Sequence, residues 1–326
     1  MRRREVLAGV VAAACGSSRA CRLALAQSKR LPLVAYLSIG PNLAFPQHRS
    51  ALAALGWEDG KNVRLETHSG DGQIEGLRSV LGQLLRQQPD VIVAAGGTVT
   101  LHTAAITRTI PIVMSASSTD PVRAGWAESY ARPGGNVTGV TFANDEVVEK
   151  QLQLLKQTAP NLTHVGILHT PGNEAVAWTA ERAFQAAAAL GLARTLAQLG
   201  GLDEVEGVLE GLRAVGADAV LVIADPIIDN LRSRIADAAG ARLMASAGQL
   251  EFYAASGFLV TYAPQQNAIY RRAAVFIDQI LRGARPADLP IERPTKYIFT
   301  INAGPARKLG LMVSPAVLSV ADEVIE

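Results

Sequence analysis

The segment DVIVAAGGTVTLHTAA, residues 90–105, runs apolar, breaks at Gly96-Gly97-Thr98 and then turns helical. The same change recurs in TIPIVMSASSTDP (109–121), HVGILHTPGNEA (164–175) and DAVLVIADPIIDN (218–230). A short apolar run followed by small or polar residues and an amphipathic stretch is the signature of a buried strand feeding a covering helix. Four such junctions predict parallel sheets with a polar rim along their carboxyl edge.

Strands are expected at 31–38, 62–70, 89–97, 110–116 and 136–142, separated by helices at 45–57, 74–88 and 101–109. The alternation restarts with a helix at 144–160. Strands follow at 164–170, 193–200, 219–225, 241–246 and 257–263, with helices at 175–191, 202–216 and 227–240. A helix at 267–283, a Pro-rich stretch, a strand at 297–302 and a helix at 303–311 complete the pattern. The predicted fold class is α/β: two Rossmann-like, doubly wound lobes with parallel sheets, joined by about three hinge crossovers near 142–146, 259–264 and 286–297. On this reading lobe 1 comprises 27–143 plus 264–286, and lobe 2 comprises 144–260 plus 297–326.

At 326 residues the chain is long enough for two such cores. Its formal charge of +2 is unevenly spread. Arg2, Arg3, Arg4, Arg19 and Arg22 face only Glu5 within the first 26 residues, so the remainder is slightly acidic. Nothing there argues for nucleic acid or an anionic membrane as partner. Residues 1–26 have the form of a bacterial export signal: a basic start, a short apolar stretch and Ala24-Leu25-Ala26 as cleavage site. RRREVL fits a twin-arginine signal or a Sec signal with extra arginines, and AAAC, ending at Cys15, has some features of a lipoprotein box. Both cysteines, Cys15 and Cys21, lie in this leader, so the mature chain would have no thiol chemistry. The expected location is the periplasm.

Several catalytic signatures are missing. There is no G-x-G-x-x-G between strand and helix, since GDGQIEG (70–76) has the wrong spacing. There is no phosphate-binding G-x-x-x-x-G-K-[ST] and no G-x-S-x-G. His48, His68, His102, His164 and His169 show no metal-ligand spacing. No cofactor and no metal are expected.

What remains is the rim. Helix N-termini beyond strand ends carry partial positive charge and favour anions. Gly97 permits close approach of a ligand, and Thr98 adds a hydroxyl. Ser38, Ser115 and Ser117 follow other strands of the first lobe. Across from them Asp225 would place a carboxylate able to pair with a ligand ammonium, with Thr170, Asn173 and Glu251 nearby in the pattern and Tyr262 at a crossover. Each of these residues also suits a helix cap, a turn or hinge packing; Asp120 before Pro121 and Asp225 before Pro226 have the form of N-caps. Aromatic content is only 5%. That leaves Phe45, Trp126, Trp178, Phe252 and Tyr262 as stacking partners near predicted loops.

The leader together with GWEDGKNVRLE, PDVIVAAGG, TIPIVM, TDPVRAG, RPGGNVTGVTF, KQLQLLKQTAP and PARKLGLMVSPAVLSVADEVIE resembles ABC-transporter solute-binding proteins, in the family that includes tryptophan- and tyrosine-binding members. The likeness covers nearly the whole chain. It implies a periplasmic binding protein of the first structural class, a monomer with no enzymatic activity. Such a protein closes on a small solute, with an amino acid or other small carboxylate favoured, and delivers it to an ABC permease of the inner membrane. Two other classes stay open. One is an exported sensor subunit for a membrane receptor; the other is an enzyme on the same scaffold using Asp225 and His169. A DNA-binding regulator would need a helix-turn-helix where the leader stands.

Overall fold

The computed structural model describes residues 30–117, 119–141, 145–172 and 174–326. The leader, with Cys15 and Cys21, and Asn173 lie outside the described residues, so those expectations have no structural counterpart.

The first sheet is built from β1 (Leu33–Ser38), β2 (Arg64–Ser69), β3 (Val91–Ala95), β4 (Ile112–Ser117) and β5 (Val137–Thr141), in spatial order β2-β1-β3-β4-β5 and parallel throughout. Helices α1 (Phe45–Ala54), α2 (Ile74–Arg86) and α3 (Gly97–Ile106) alternate with these strands. The second half begins with α4 (Asp145–Thr158) and continues through β6 (His164–His169), α5 (Glu174–Ala189), β7 (Ala193–Gln198), α6 (Val205–Ala214), β8 (Ala219–Val222), α7 (Pro226–Ala241), β9 (Ala245–Gly248), α8 (Phe252–Ala255) and β10 (Val260–Pro264). After α9 (Gln266–Leu281) come β11 (Tyr297–Asn302), α10 (Ala303–Lys308), α11 (Pro315–Val320) and β12 (Glu323–Ile325). The second sheet is ordered β12-β11-β10-β9-β8-β6-β7.

This is the expected pair of α/β lobes, with one departure. β11 pairs antiparallel to β10, register Tyr262 to Phe299, because the chain returns to the second sheet from the opposite direction after visiting the first. Burial explains the strand order. β1, β3 and β8 are central and apolar on both faces, whereas β2 and β7 lie at edges and are largely exposed or half-buried. α2 shows how the helices cover the sheet: Leu77, Leu81 and Leu84 share one buried face.

Several element ends fall two or three residues short of the expectation, and α8, α11 and β12 add short elements that it lacked; two starts move by four residues. α3 begins at Gly97 instead of 101, so Gly97 and Thr98 form its first turn. The strand expected from 241 starts at Ala245; α7 runs to Ala241, and Leu243 takes a left-handed φ of 53° as the chain reverses. The passage after β10 is a seam between the halves. α9 leaves the second sheet and packs over β4, β5 and β3 and against α1, burying Ile269, Ala273, Phe276 and Ile277. Trp57 Nε1 donates to Asp278 Oδ1 at 2.8 Å and fixes α9 on that side. The chain then runs beside β5, where Thr138 Oγ1 donates to Leu289 O at 2.8 Å, before it enters β11.

Gly139 of β5 has φ +122°, and a methyl group there would lie 2.4 Å from Met114 O. Backbone conformation and neighbour contact both reject a side chain. Gly139→Ala is therefore expected to lower unfolding free energy by about 3 kcal/mol or more. Urea denaturation reads this directly, and a loss below about 1 kcal/mol would show that β4 and β5 are less tightly joined.

Candidate ligand-binding cleft

In each sheet the strand order reverses beside the first strand. These switch points lie between β1 and β3 and between β6 and β8. Ligands of open α/β sheets bind beyond the carboxyl ends of strands at such points. Ser38 ends β1, Gly96 to Thr98 follow β3, Thr170 follows β6 and Asp225 follows β8. The pattern thus brings five predicted positions, Ser38, Gly97, Thr98, Thr170 and Asp225, to two facing edges.

Gly96 is the N-cap of α3, with φ 85°, a left-handed conformation that suits glycine. The close approach allowed there is to the other lobe: a Cβ on Gly96 would stand 2.7 Å from Pro226 Cγ. On Gly97, a Cβ would meet Thr119 Oγ1 at 2.0 Å, and that fully buried hydroxyl has no hydrogen-bond partner among the described residues. Ser117 holds the same turn by accepting from Thr119 N at 3.1 Å. Thr141 Oγ1 donates to Ser117 O and Thr119 O, both at 2.9 Å.

Thr98 Oγ1 donates across the cleft to Asp225 Oδ2 in a short hydrogen bond. Asp225 Oδ1 accepts from Ile227 N at 3.1 Å, so it is also the N-cap of α7, with Pro226 at the first helical position. Burial raises the Asp225 pKa, against the hydrogen bonds from Thr98, Ile227 and Thr170 that favour the charged form. Thr170 is buried close by and its side chain also bonds to Asp225. His169, buried beside it, contacts Thr170 O through Nδ1 at 3.0 Å. Asp120 is a cap: its Oδ1 accepts from Val122 N at 2.9 Å and Arg123 N at 3.1 Å.

Beside this contact the lobes enclose a cavity of about 130 Å³. The first lobe supplies Ser38, Leu43, Ala44, Ser115 and Ala116; the second supplies Asp229, Arg232, Leu250 and Phe252; and α9 supplies Gln266 and Tyr270. Ser38 Oγ donates to Gly40 O at 2.6 Å. Ala116 has φ 56°, where β4 carries an extra residue relative to β5, and the bulge turns the end of β4 into the cavity wall.

Ser115 meets His48, a residue that spacing gave no reason to select. His48 Nδ1 is 3.0 Å from Ala44 O and Nε2 is 2.9 Å from Ser115 Oγ. A carbonyl only accepts, so Nδ1 carries the proton and Nε2 accepts from the serine. Rings of Tyr36 and Tyr270 flank the imidazole at 5.1 and 4.9 Å. Burial holds its pKa down to about 4.

Asp229, one turn beyond Asp225, is the other functional candidate that sequence reasoning missed. Its place at i+4 from Asp225 was the available signal. Its Oδ1 accepts from Tyr253 OH at 2.5 Å. Burial, reinforced by the negative charge of Asp225, pushes its pKa up to about 7, against Tyr253 and Arg232. Arg232 is spread over other partners: Nη1 donates to Asp229 O at 2.6 Å, Nε to Ser256 Oγ at 3.0 Å, and its guanidinium lies 4.9 Å from the Phe252 ring centre.

Two predicted residues stand elsewhere. Glu251 Oε2 accepts from Gln266 N at 3.2 Å and so caps the start of α9. Tyr262 lies in β10, stacked on Tyr297 with ring centres 5.2 Å apart, while its carbonyl accepts from Gln151 Nε2 at 2.8 Å. It is absent from the cavity wall because β10 carries it away from the cleft. Among the described residues, no group of three or more His, Cys, Asp or Glu side chains is placed to hold a metal ion.

The two perturbed groups pull stability in opposite directions with pH. His48 binds its proton less readily folded than unfolded, so its contribution is lost as pH falls from about 6.5 towards 4. Asp229 binds its proton more readily folded, so its contribution is lost as pH rises from about 4 towards 7. Asp229→Asn should therefore leave a melting temperature that climbs more steeply between pH 4 and 6.5 than that of the wild type. Parallel pH profiles for the two proteins would remove Asp229 from this account.

The comparisons agree with this architecture. A family model described as ABC transporter substrate binding protein matches residues 48–325. A tyrosine-binding protein of Clostridioides difficile strain R20291 is 29% identical over 119 residues, 36% of this chain and 34% of that protein. The chain thus spans about a third of the length of that curated relative. The structure of a conserved domain protein from Vibrio cholerae O1 biovar El Tor strain N16961 superposes with a TM-score of 0.84 at 25% identity, covering 90% of this chain and all of that one. An ABC domain from Streptococcus pneumonia in complex with L-Trp gives 0.83 at 23% identity, again over 90% of this chain and all of its counterpart. With the match to the family model running from α1 to the last strand, this chain belongs to the ABC transporter substrate binding protein family.

Proposed function

We propose that the protein is the extracytoplasmic solute-binding component of an ABC importer. In this reading it is exported by the leader at 1–26 and works in the periplasm as a monomer. It captures an amino acid or another small carboxylate between its lobes and presents it to an ABC permease in the membrane. No helix among the described residues is long and apolar enough to cross a membrane, so the permease would be a separate chain.

The observation that carries the reading is the polarity across the cleft. On one side α3 starts at Gly97, with Thr98, Ser117 and the unpartnered Thr119 hydroxyl around its positive end. On the other side stand the Asp225 carboxylate and the buried Thr170 hydroxyl. A zwitterion fits this arrangement, with its carboxylate at α3 and its ammonium at Asp225. The cavity beside it, walled by Leu43, Leu250, Phe252 and Tyr270, would take a largely apolar side chain. The C. difficile relative is named for tyrosine and the S. pneumonia structure holds L-Trp, both amino acids of that type. Because the solute touches both lobes, it favours the closed state by the difference between its affinities for closed and open forms.

Calorimetric titration with a panel of amino acids and of carboxylates lacking an amine tests the assignment. For an amino acid that binds, Asp225→Asn keeps the helix cap while removing the charge. It should weaken binding tenfold or more, the scale of a charge-assisted hydrogen bond of roughly 1.5–3 kcal/mol. Equal affinity in the variant would remove Asp225 from the ammonium site. Binding only of carboxylates without an amine would leave the α3 half of the site alone.

A further inference from the structure

A hydroxyl has one hydrogen to give, and each of the three hydroxyls lining the cleft cavity has given it to the protein. Ser38 Oγ donates to Gly40 O at 2.6 Å, and a carbonyl can only accept. Tyr270 OH donates to Gln266 Oε1 at 3.1 Å. Ser115 Oγ lies 2.9 Å from His48 Nε2, and the direction of that bond is set behind the wall. His48 Nδ1 is 3.0 Å from Ala44 O, so Nδ1 holds the hydrogen of the ring and Nε2 takes the one from Ser115. The imidazole is 2% exposed, lies between Tyr36 and Tyr270, and is kept neutral by its burial. On the facing wall the Asp229 carboxyl accepts from Tyr253 OH. Arg232 there bonds to Asp229 O and Ser256 Oγ, and Asn230 Nδ2 bonds to Pro226 O at 2.8 Å. Leu43, Leu250 and Phe252 supply apolar surface between these groups.

We propose that Ser38, Ser115 and Tyr270 form a face of hydrogen-bond acceptors that selects a solute whose apolar side chain ends in an N–H or O–H donor, with His48 as the positioning residue that sets this polarity. The inference rests on reading the cleft as a site for an amino acid or small carboxylate, and goes beyond it by naming the group at the far end of the solute. A donor arriving at this face meets oxygen lone pairs already turned towards the cavity. An acceptor arriving there meets like partial charges, because no hydroxyl can turn its hydrogen inward without breaking its bond to Gly40, Gln266 or His48. A hydrocarbon end displaces water and leaves the buried Ser38 and Ser115 oxygens without a donor, a loss that penalises the wrong solute. His48 acts without lining the cavity. With the opposite tautomer, Nε2 would donate to Ser115 and release the serine hydrogen into the cavity. Ala44 O opposes that reversal, since a bare Nδ1 would then face a carbonyl lone pair.

Calorimetric titration with matched solutes that differ only at that end tests the assignment. The pairs are tyrosine with phenylalanine, tryptophan with its benzothiophene analogue, and para-hydroxyphenylacetate with phenylacetate as the pair lacking an amine. In the wild type the donor-bearing member should bind about tenfold tighter or more, and Ser115→Ala should reduce that ratio to about threefold or less. His48→Leu, which frees the serine hydrogen, should shrink the ratio in the same way; circular dichroism checks that each variant is folded. A packing role for His48 alone would weaken both members of a pair equally and leave the ratio unchanged. Equal binding of both members by the wild type would overturn the proposal, as would a ratio that survives in folded Ser115→Ala. Discrimination confined to the amine-free pair would keep the acceptor face and discard the amino-acid reading, amino acids bound without discrimination would do the reverse, and no binding by any pair would discard both. NMR of the imidazole nitrogens tests the polarity with no solute and no need for a folded variant at Ser115. At neutral pH His48 should show Nδ1 protonated and Nε2 bare, and the opposite tautomer or a charged ring would overturn the proposal.

Discussion

A carboxylate buried between two bodies has to be satisfied, and the organisation of the cleft follows from how Asp225 is. It ends a central strand, starts a 16-residue helix and receives a hydroxyl from the facing lobe. Each role requires the others. The strand delivers the carboxylate to the edge of the sheet, the first turn of α7 supplies an amide, and Thr98 supplies the remaining donor. Asp229 follows on the same helix face and shares the region of negative potential. Arg232, one turn farther, offsets part of it while bonding to Ser256 and lying near Phe252. One helix thus provides most of the charge in the second half of the cleft.

The opposing lobe contributes dipoles instead of charges. Its wall consists of hydroxyls and backbone at a helix start, with a neutral imidazole buried behind Ser115. His48 stays neutral because it lies among Tyr36, Tyr270 and Ser115, where an added proton would lose its hydration. Ala116 adopts a left-handed φ in the same wall, and strained backbone of this kind is characteristic of sites where geometry matters more than local stability. The asymmetry between a charged lobe and a dipolar one makes the cleft directional.

Much of the fold was legible because parallel strands covered on both faces have to be apolar runs, as in Val91–Ala95 and Ala219–Val222. The rim was legible for a related reason: a strand cannot stay apolar where it meets a helix N-terminus, so Thr98, Thr170 and Asp225 stand out. What the pattern could not show were contacts made through space. His48 and Ser115 are 67 residues apart. Asp229 sits in a helix where acidic residues are ordinary; its place at i+4 from Asp225 was legible, but the hydroxyl it receives from Tyr253, 24 residues on, was not. Tyr262 was placed at a crossover from the chain pattern, but β10 extends through Pro264 and holds it against Tyr297. The reversal of β11 has no local signal, because antiparallel and parallel neighbours read alike in a buried strand.

The excursion of α9 has a consequence for how such a protein can be divided. The helix that covers β4 and β5 is encoded after five of the seven strands of the second sheet, and its first residue is capped by Glu251 of the other lobe. A fragment ending after β5 would leave the surface that receives Ile269, Ala273, Phe276 and Ile277 open to water. A fragment starting at α4 would carry the same apolar helix face with nothing to cover. Neither half is a self-sufficient building block. On a ribosome the first lobe would remain unfinished until some 280 residues had emerged, so its folding waits on the synthesis of most of the second lobe.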